Sequence, residues 1–225
     1  MSSDVAPPDR PNRMGRQRQK TRDCLIEGAL VVIARKGPDA ATINDITDAA
    51  DVGFGSFYNH FGSKEEIVAV AMEELFQRIG NGLDEAIRSI EDPLEAVTTA
   101  IRLFIRTIIS KPEWASFMLR VSMVPGFENV GLFPRLFRDL RTVQATGRLH
   151  LADPEAATFA AGGALLFMAS AMCEGKLPVA GAPERMAAMT LRILGVGENE
   201  INTMVAKPVP ELSQQMSSLI VGKTA

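Results

Sequence analysis

Cysteine is nearly missing from this chain: Cys24 and Cys173 are the only two. They lie far apart, each inside a helical pattern, which argues against a disulfide framework and for buried free thiols in a reducing cytoplasm. Histidine is as scarce, with only His60 and His150, so the ligands for a zinc cluster are lacking and no metal or other cofactor is implied. Long hydrophobic runs are also missing. The apolar stretch Phe159 to Cys173 is short, contains Gly162 and Gly163, and falls below membrane-spanning length. Residues 1–15 have no apolar segment of the secretory type. The expectation is a cytoplasmic protein without a membrane partner. Positive charge is not in excess either. The net charge of −3 argues against a protein that coats nucleic acid through bulk charge. No stretch shows sustained strand alternation, no repeat of solenoid period appears, and no Ser-His-Asp or paired-carboxylate frame suggests hydrolysis. Gly53, Gly55 and Gly62 with Lys64 do not form a phosphate loop, because Ser63 separates the last glycine from the lysine. The chain does not read as an enzyme.

What is present is 225 residues, 46% hydrophobic and 23% charged, enough for one or two domains with a sizeable core. Apolar residues recur at helical spacing almost throughout. Leu25, Ile26, Ala29, Leu30 and Ile33 give a first helix from about Arg18 to Lys36, stopped by Gly37 and Pro38. Thr42 with Asp45 three residues on has the capping-box form for a second helix, whose buried face is Ile43, Ile46 and Ala50. Asp51 to Gly55 make a turn. A third helix from about Gly55 to Phe61 buries Phe57 and Phe61, which leaves Ser56, Asn59 and His60 facing outward. Ser63 with Glu66 caps a long helix from Lys64 to about Ser89. Further helices are expected from Pro93 to near Lys111, Trp114 to Val124, Asn129 to Gly147, Asp153 to Glu174, and Pro183 to Leu194. Met204 to Val209 has the composition to pack locally.

Two short helices joined by a tight turn are the shape that lays a helix into the DNA major groove. Such a helix needs small or polar residues at its leading end and donors beside it for phosphates. Gly55 permits close backbone approach, Ser56 and Asn59 carry groups that bond base edges, and Phe54 either meets a thymine methyl or packs on the first helix. Tyr58, His60 and Lys64 supply phosphate donors, and Thr42 stands at a helix N-terminus suited to a phosphate. From Arg10 to Arg22 the chain is cationic, with Arg16, Arg18 and Lys20 nearest the motif. Up to Lys64 there are 9 basic and 8 acidic residues, against 15 and 19 in the remainder. That suits a small phosphate-contacting module on an acidic body.

On T-I-x-D-I followed by G-S-F-Y-N-H-F-G-S-K-E-E-I, over roughly Gln17 to Ala71, the chain resembles the tetracycline-repressor (TetR) family of transcriptional regulators. The resemblance implies an all-α protein. Residues 14–62 would be a three-helix, helix-turn-helix DNA-binding domain. Residues 63–207 would be an effector-binding and dimerisation domain, flanked by a disordered 1–13 tail and a mobile 208–225 tail. It further implies a homodimer that binds a palindromic double-stranded operator, usually as a repressor, and that releases it on binding a small molecule. The DNA-contacting residues carried over are Thr42, Phe54, Gly55, Ser56, Tyr58, Asn59, His60 and Lys64, helped by Arg16, Arg18 and Lys20. Two positions depart from the family pattern. Asp51 replaces a turn glycine, and Asp tolerates left-handed backbone better than most residues. Gly53 replaces a capping Ser or Thr, so that cap and its phosphate contact are weakened.

The second half carries many bulky, adaptable side chains. Phe104, Trp114, Phe117, Met118, Phe137, Phe167, Met168 and Met172, with Arg120, are the expected lining of a pocket for an apolar or aromatic effector. Arg102, Arg106 and Glu174 join Arg120 as candidates to orient it. Ala160, Ala161, Gly162, Gly163 and Ala164 permit close helix approach. Paired with Met186, Met189, Ile193 and Leu194 they form either a dimer interface, where the resemblance puts it in the last two long helices, or tight packing within one subunit. Two rival readings stand beside the regulator: a helical protein-interaction module that has lost DNA binding, and a helical enzyme acting on an apolar substrate.

Overall fold

In the computed structural model, residues 13–110, 118–119 and 131–211 are described. Among them the chain is helical throughout and no strand occurs. Helix α1 spans Arg13–Ala40, with Gly37 at φ 78° breaking it ahead of Pro38. It therefore begins earlier than the apolar stripe suggests, and the basic residues Arg16, Arg18 and Lys20 sit on ordered helix. Helix α2, Ile43–Ala50, starts at the full Thr42/Asp45 capping box. It ends at Asp51, which takes the left-handed conformation at φ 53° without a glycine.

The third helix is shorter than its pattern suggests. Helix α3 covers only Phe54–Phe57, and Tyr58 to His60 continue as turns held by Asn59 N–H to Ser56 O (3.2 Å) and His60 N–H to Phe57 O (2.9 Å). Gly53 offers no side chain to cap it. Helix α4, Lys64–Ile87, is capped by Ser63, whose hydroxyl accepts from Glu66 N–H at 3.1 Å. The Glu66 carboxylate, however, accepts from Gly62 N–H at 2.6 Å rather than from Ser63.

Helix α5 is Pro93–Ile109, with Asp92 accepting from Leu94 N–H at 2.9 Å. Helix α6, Leu132–Ala145, begins at Gly131, whose φ of 69° suits glycine. Helix α7 is Pro154–Cys173, ending before the left-handed Gly175, and α8 is Ala182–Ile193. One element goes beyond the sequence reading: α9, Glu198–Ala206, buries only Ile201 and Met204 and carries no capping side chain. The helix expected over Trp114 to Val124 lies outside the described residues apart from positions 118 and 119.

Helix α1 packs on α2 and α4, and α2 on α3. Helix α4 then continues onto α5 and α6, while α5 runs centrally, touching α6, α7, α8 and α9. Buried residues from Leu25 to Met204 form one continuous core, in which Ile67, Ala71, Met72 and Leu75 of α4 join the N-terminal cluster to the rest. Full burial of Ile67, Met72 and Leu75 contributes roughly 1.5–3 kcal/mol of transfer free energy each. Helix α7 is long and apolar enough to cross a membrane by length and composition alone, and it packs against α5, α6 and α8. Cys24 and Cys173 are both half-buried, and neither forms a disulfide among the described residues.

Candidate DNA interface and ligand cavity

Phe57 and Phe61 are fully buried, their rings 5.9 Å apart. This aromatic pair fixes the turn from below and leaves Phe54, Gly55, Tyr58 and Asn59 exposed, with Ser56 and His60 half-buried. Phe54 does not pack into the protein. Its ring stands 5.7 Å from that of Tyr58, edge to face, and both are open to solvent. Arg18 reaches from α1 and donates to Asn59 O at 3.2 Å, while the Arg22 guanidinium lies 4.6 Å over the Phe61 ring. Burial, together with the nearby Arg18 and Arg22 charges, holds His60 below the ordinary imidazole value. His60 is therefore a neutral donor or acceptor at physiological pH.

Two expected phosphate donors are already engaged. The Thr42 hydroxyl accepts from Asp45 N–H at 3.2 Å and donates to the Asp45 carboxylate, which also accepts from Thr42 N–H at 3.0 Å. The Lys64 ammonium donates to Asp39 O at 3.2 Å, tying the start of α4 to the end of α1, and retains further N–H donors. Lys36, which the sequence reading passed over, sits at the same edge, paired with Asp45. Its position just before Gly37 and Pro38 was the available signal. Hydrogen bonds from Lys36 and Thr42 hold the Asp45 carboxyl at about 2.

The second feature is a cavity of about 380 Å³ between α4, α5, α6 and α7. Leu83, Ile101, Phe104, Phe133, Leu136 and Leu165 are among its apolar walls. Of the expected lining, Phe104 and Met118 are there. Phe137 and Met168 are half-buried elsewhere, Met172 belongs to the closed core, and Phe167 points outward, 67% exposed. Helical rotation explains the miss: the α7 face turned to the cavity carries Phe159, Gly162, Gly163 and Leu166 instead. Trp114, Phe117 and Arg120 lie outside the described residues. Arg102 is not a ligand group. It is buried, donating to Lys207 O at 2.7 Å and to Glu184 at 2.9 Å, with its Nε unpartnered among the described residues. Arg106 and Glu174 are exposed and do not line the cavity.

The polar end of the cavity comes from residues the sequence reading did not single out: Asp84, Arg135 and Asp139, with Arg138 behind them. Arg135 Nε donates to Asp84 at 3.0 Å, and the rest of its guanidinium bonds Gln77 (3.1 Å), Asn81 (2.7 Å) and Gly131 O (2.6 Å). Arg138 donates to both Asp84 and Asp139 at 2.7 Å. Burial alone would raise Asp84, but the Arg138 and Arg135 hydrogen bonds reverse this and hold it low. At Asp139 burial prevails and pushes the carboxyl up, against Arg138. Gly80 makes the Arg135 arrangement possible, since a Cβ there would stand 2.6 Å from the guanidinium carbon. Among the described residues no cluster of His, Cys, Asp and Glu is placed to hold a metal.

An exposed helix-turn-helix on an aromatic base is thus joined by one long helix to a ligand-sized cavity, the two-part plan of a helical regulator. Residues 25–71 match the family model described as bacterial regulatory proteins, tetR family, and residues 92–207 match the tetracyclin repressor-like C-terminal domain. The chain belongs to the TetR family of transcriptional regulators. It is 32% identical over 91 residues to the transcriptional repressor KstR2 of Mycolicibacterium smegmatis, covering 40% of this chain. It is 32% identical over 95 residues to the regulator TcmR of Streptomyces glaucescens, covering 42% of this chain. Each match spans 42% of the relative's own length. The crystal structure of RolR in complex with resorcinol superposes with a TM-score of 0.75 at 29% identity, covering 88% of this chain and 99% of that one.

Proposed function

We propose that this chain is a ligand-responsive repressor, binding a palindromic operator as a homodimer and releasing it when a compact hydroxylated aromatic molecule enters the cavity. The observation that carries the reading is that α4 serves both ends. It begins at Lys64, directly after the recognition turn, and its Leu83, Asp84 and Ile87 form one wall of the cavity. A ligand that prefers a shifted α4 moves the recognition turns off half-sites about one helical turn apart. A coupling of about 1–3 kcal/mol changes occupancy several-fold or more.

The ligand class follows from the lining. Apolar walls favour a ring, and the raised Asp139 carboxyl favours a hydroxyl that donates to it. RolR, similar over nearly its whole length, holds resorcinol. Pairing of two copies through α7 and α8 is supported by Phe159, Phe167, Met189 and Ile193, all exposed. Met186 and Leu194, by contrast, are buried within the protomer and serve its core. Exposure of the readout residues favours DNA binding over a retired interaction module. Operator binding of this kind is consistent with a cytoplasmic protein.

The test is a gel shift on DNA upstream of the protein's own gene, titrated with resorcinol, catechol, phenol and, as an apolar control, cyclohexane. Release by the phenols and not by the hydrocarbon is expected. A footprint that none of them alters refutes the ligand class, and the lack of any footprint refutes the regulator.

A further inference from the structure

The cavity's α7 wall is also the protein's outer surface. Phe159 and Gly163 line the cavity, yet Phe159 is 49% exposed and Gly163 is open to solvent. Phe133 lies beneath, its ring 4.4 Å from that of Phe159. One protomer therefore leaves the cavity with an incomplete side. On that side the exposed positions of α7, Ala156, Phe159, Ala160, Gly163 and Phe167, follow one helical stripe without a charge. Beside it α8 exposes Met189 and Ile193, with Arg185 and the Arg192–Glu198 ion pair at the edge.

Gly163 points to what covers the stripe. Its backbone is ordinary helix, and a Cβ there would meet nothing within 4 Å among the described residues. No described neighbour requires a glycine there, and glycine costs a helix interior about 1 kcal/mol relative to alanine. Its use is therefore to let something outside come close. A second copy fits best. A twofold interface must be self-complementary, which an uncharged stripe satisfies because no like charges meet. The paired charges at the edge suit a protein interface with a polar rim better than a bilayer.

We infer that the partner's α7 closes the cavity, so that the effector site is complete only in the dimer. This rests on the pairing through α7 and α8 proposed above. It goes further, because a dimer could form while leaving the cavity side open. Closure by the partner links ligand entry to the interface: ligand must enter while the two α7 helices separate, and a bound ligand resists that separation.

The experiment places one reporter in the wall: Phe159→Trp in a Trp114→Phe background. Acrylamide quenching is read on this protein and on the same protein carrying Ile193→Glu, an interface position that does not line the cavity. Sedimentation velocity assigns the oligomer in each. Expected is a dimer in the first and a monomer in the second, with quenching several-fold weaker in the dimer. Phe133→Trp, one layer deeper, is read in parallel. It separates closure of the cavity from simple cover over Phe159, and it carries the test if Phe159→Trp misfolds. A dimer whose Phe133→Trp quenches as readily as the monomer overturns closure and leaves the dimer reading intact. A monomer at all micromolar concentrations overturns both, as does an Ile193→Glu dimer with unaltered quenching. Pelleting of that monomer with phosphatidylcholine vesicles would assign the stripe to a bilayer instead.

Discussion

Replacing Gly80 with alanine separates helix propensity from the room that Arg135 needs. Gly80 is buried in mid-α4, where alanine would ordinarily stabilise by about 1 kcal/mol. Its new Cβ would stand 2.6 Å from both Cζ and Nε of Arg135 and 2.8 Å from Cδ. The guanidinium must then leave Gln77, Asn81, Asp84 and the Gly131 carbonyl. The Arg135 side chain is 19% exposed, so water replaces part of the loss, and roughly 2–3 kcal/mol for the set is reasonable. Gly80→Ala alone should therefore destabilise by about 1–2 kcal/mol, lowering Tm by roughly 3–6 °C for a chain of this size. In an Arg135→Ala background the three obstructing atoms are gone, and the same change should stabilise by about 1 kcal/mol. The sign reversal is the diagnostic. Urea and thermal unfolding of the four proteins measures it. If Gly80→Ala has the same effect in both backgrounds, the glycine does not exist to admit Arg135, and the α4–α6 junction is held in some other way.

Three further outcomes are expected. Lys64→Ala should weaken operator binding evenly across sequences and reduce the salt slope by about one, whereas Asn59→Ala should cost about 1–3 kcal/mol of discrimination at one base pair; unchanged affinity and slope refute the contact assignments. Asp45, held at about 2 against an ordinary 3.8, contributes stability that is present above the ordinary value and lost as pH falls through about 2. Asp45→Asn should therefore be less stable than the parent at neutral pH, with the gap narrowing between pH 3.8 and about 2 in acid titrations followed by circular dichroism. Asp139 has the opposite sign. Its raised carboxyl contributes stability present below the ordinary value and lost as pH rises through the folded one. Asp139→Asn should raise the ligand-free Tm at neutral pH and shrink the thermal shift produced by resorcinol.

Most of the helices were legible because their caps and stripes agree. Thr42, Ser63, Asp92 and Asp153 all accept from backbone N–H groups at the expected starts, and Phe57 with Phe61 declared the buried side of the turn. Tertiary contacts decided the rest. Helix α9 has two buried residues and a glycine cap, too little periodic signal over nine positions. The α3 pattern ran on to Phe61, but Gly53 gives the helix no cap and the chain unwinds after one turn. The cavity residues were harder still. Bulk marked Phe137, Phe167 and Met172 as lining, while their helical rotation turns them elsewhere. Asp84, Arg135 and Asp139 are ordinary surface types whose value appears only when α6 is set against α4.

The brevity of α3 has an evolutionary consequence. One turn of helix has almost no ladder of its own and borrows its shape from two inward phenylalanines. Asn59 is exposed and is held by Arg18 only through its backbone oxygen, so its side chain contributes little to folding and is free to change without a stability toll. Paralogues built on this plan can acquire new operators by altering a handful of surface letters while the scaffold beneath stays as it is.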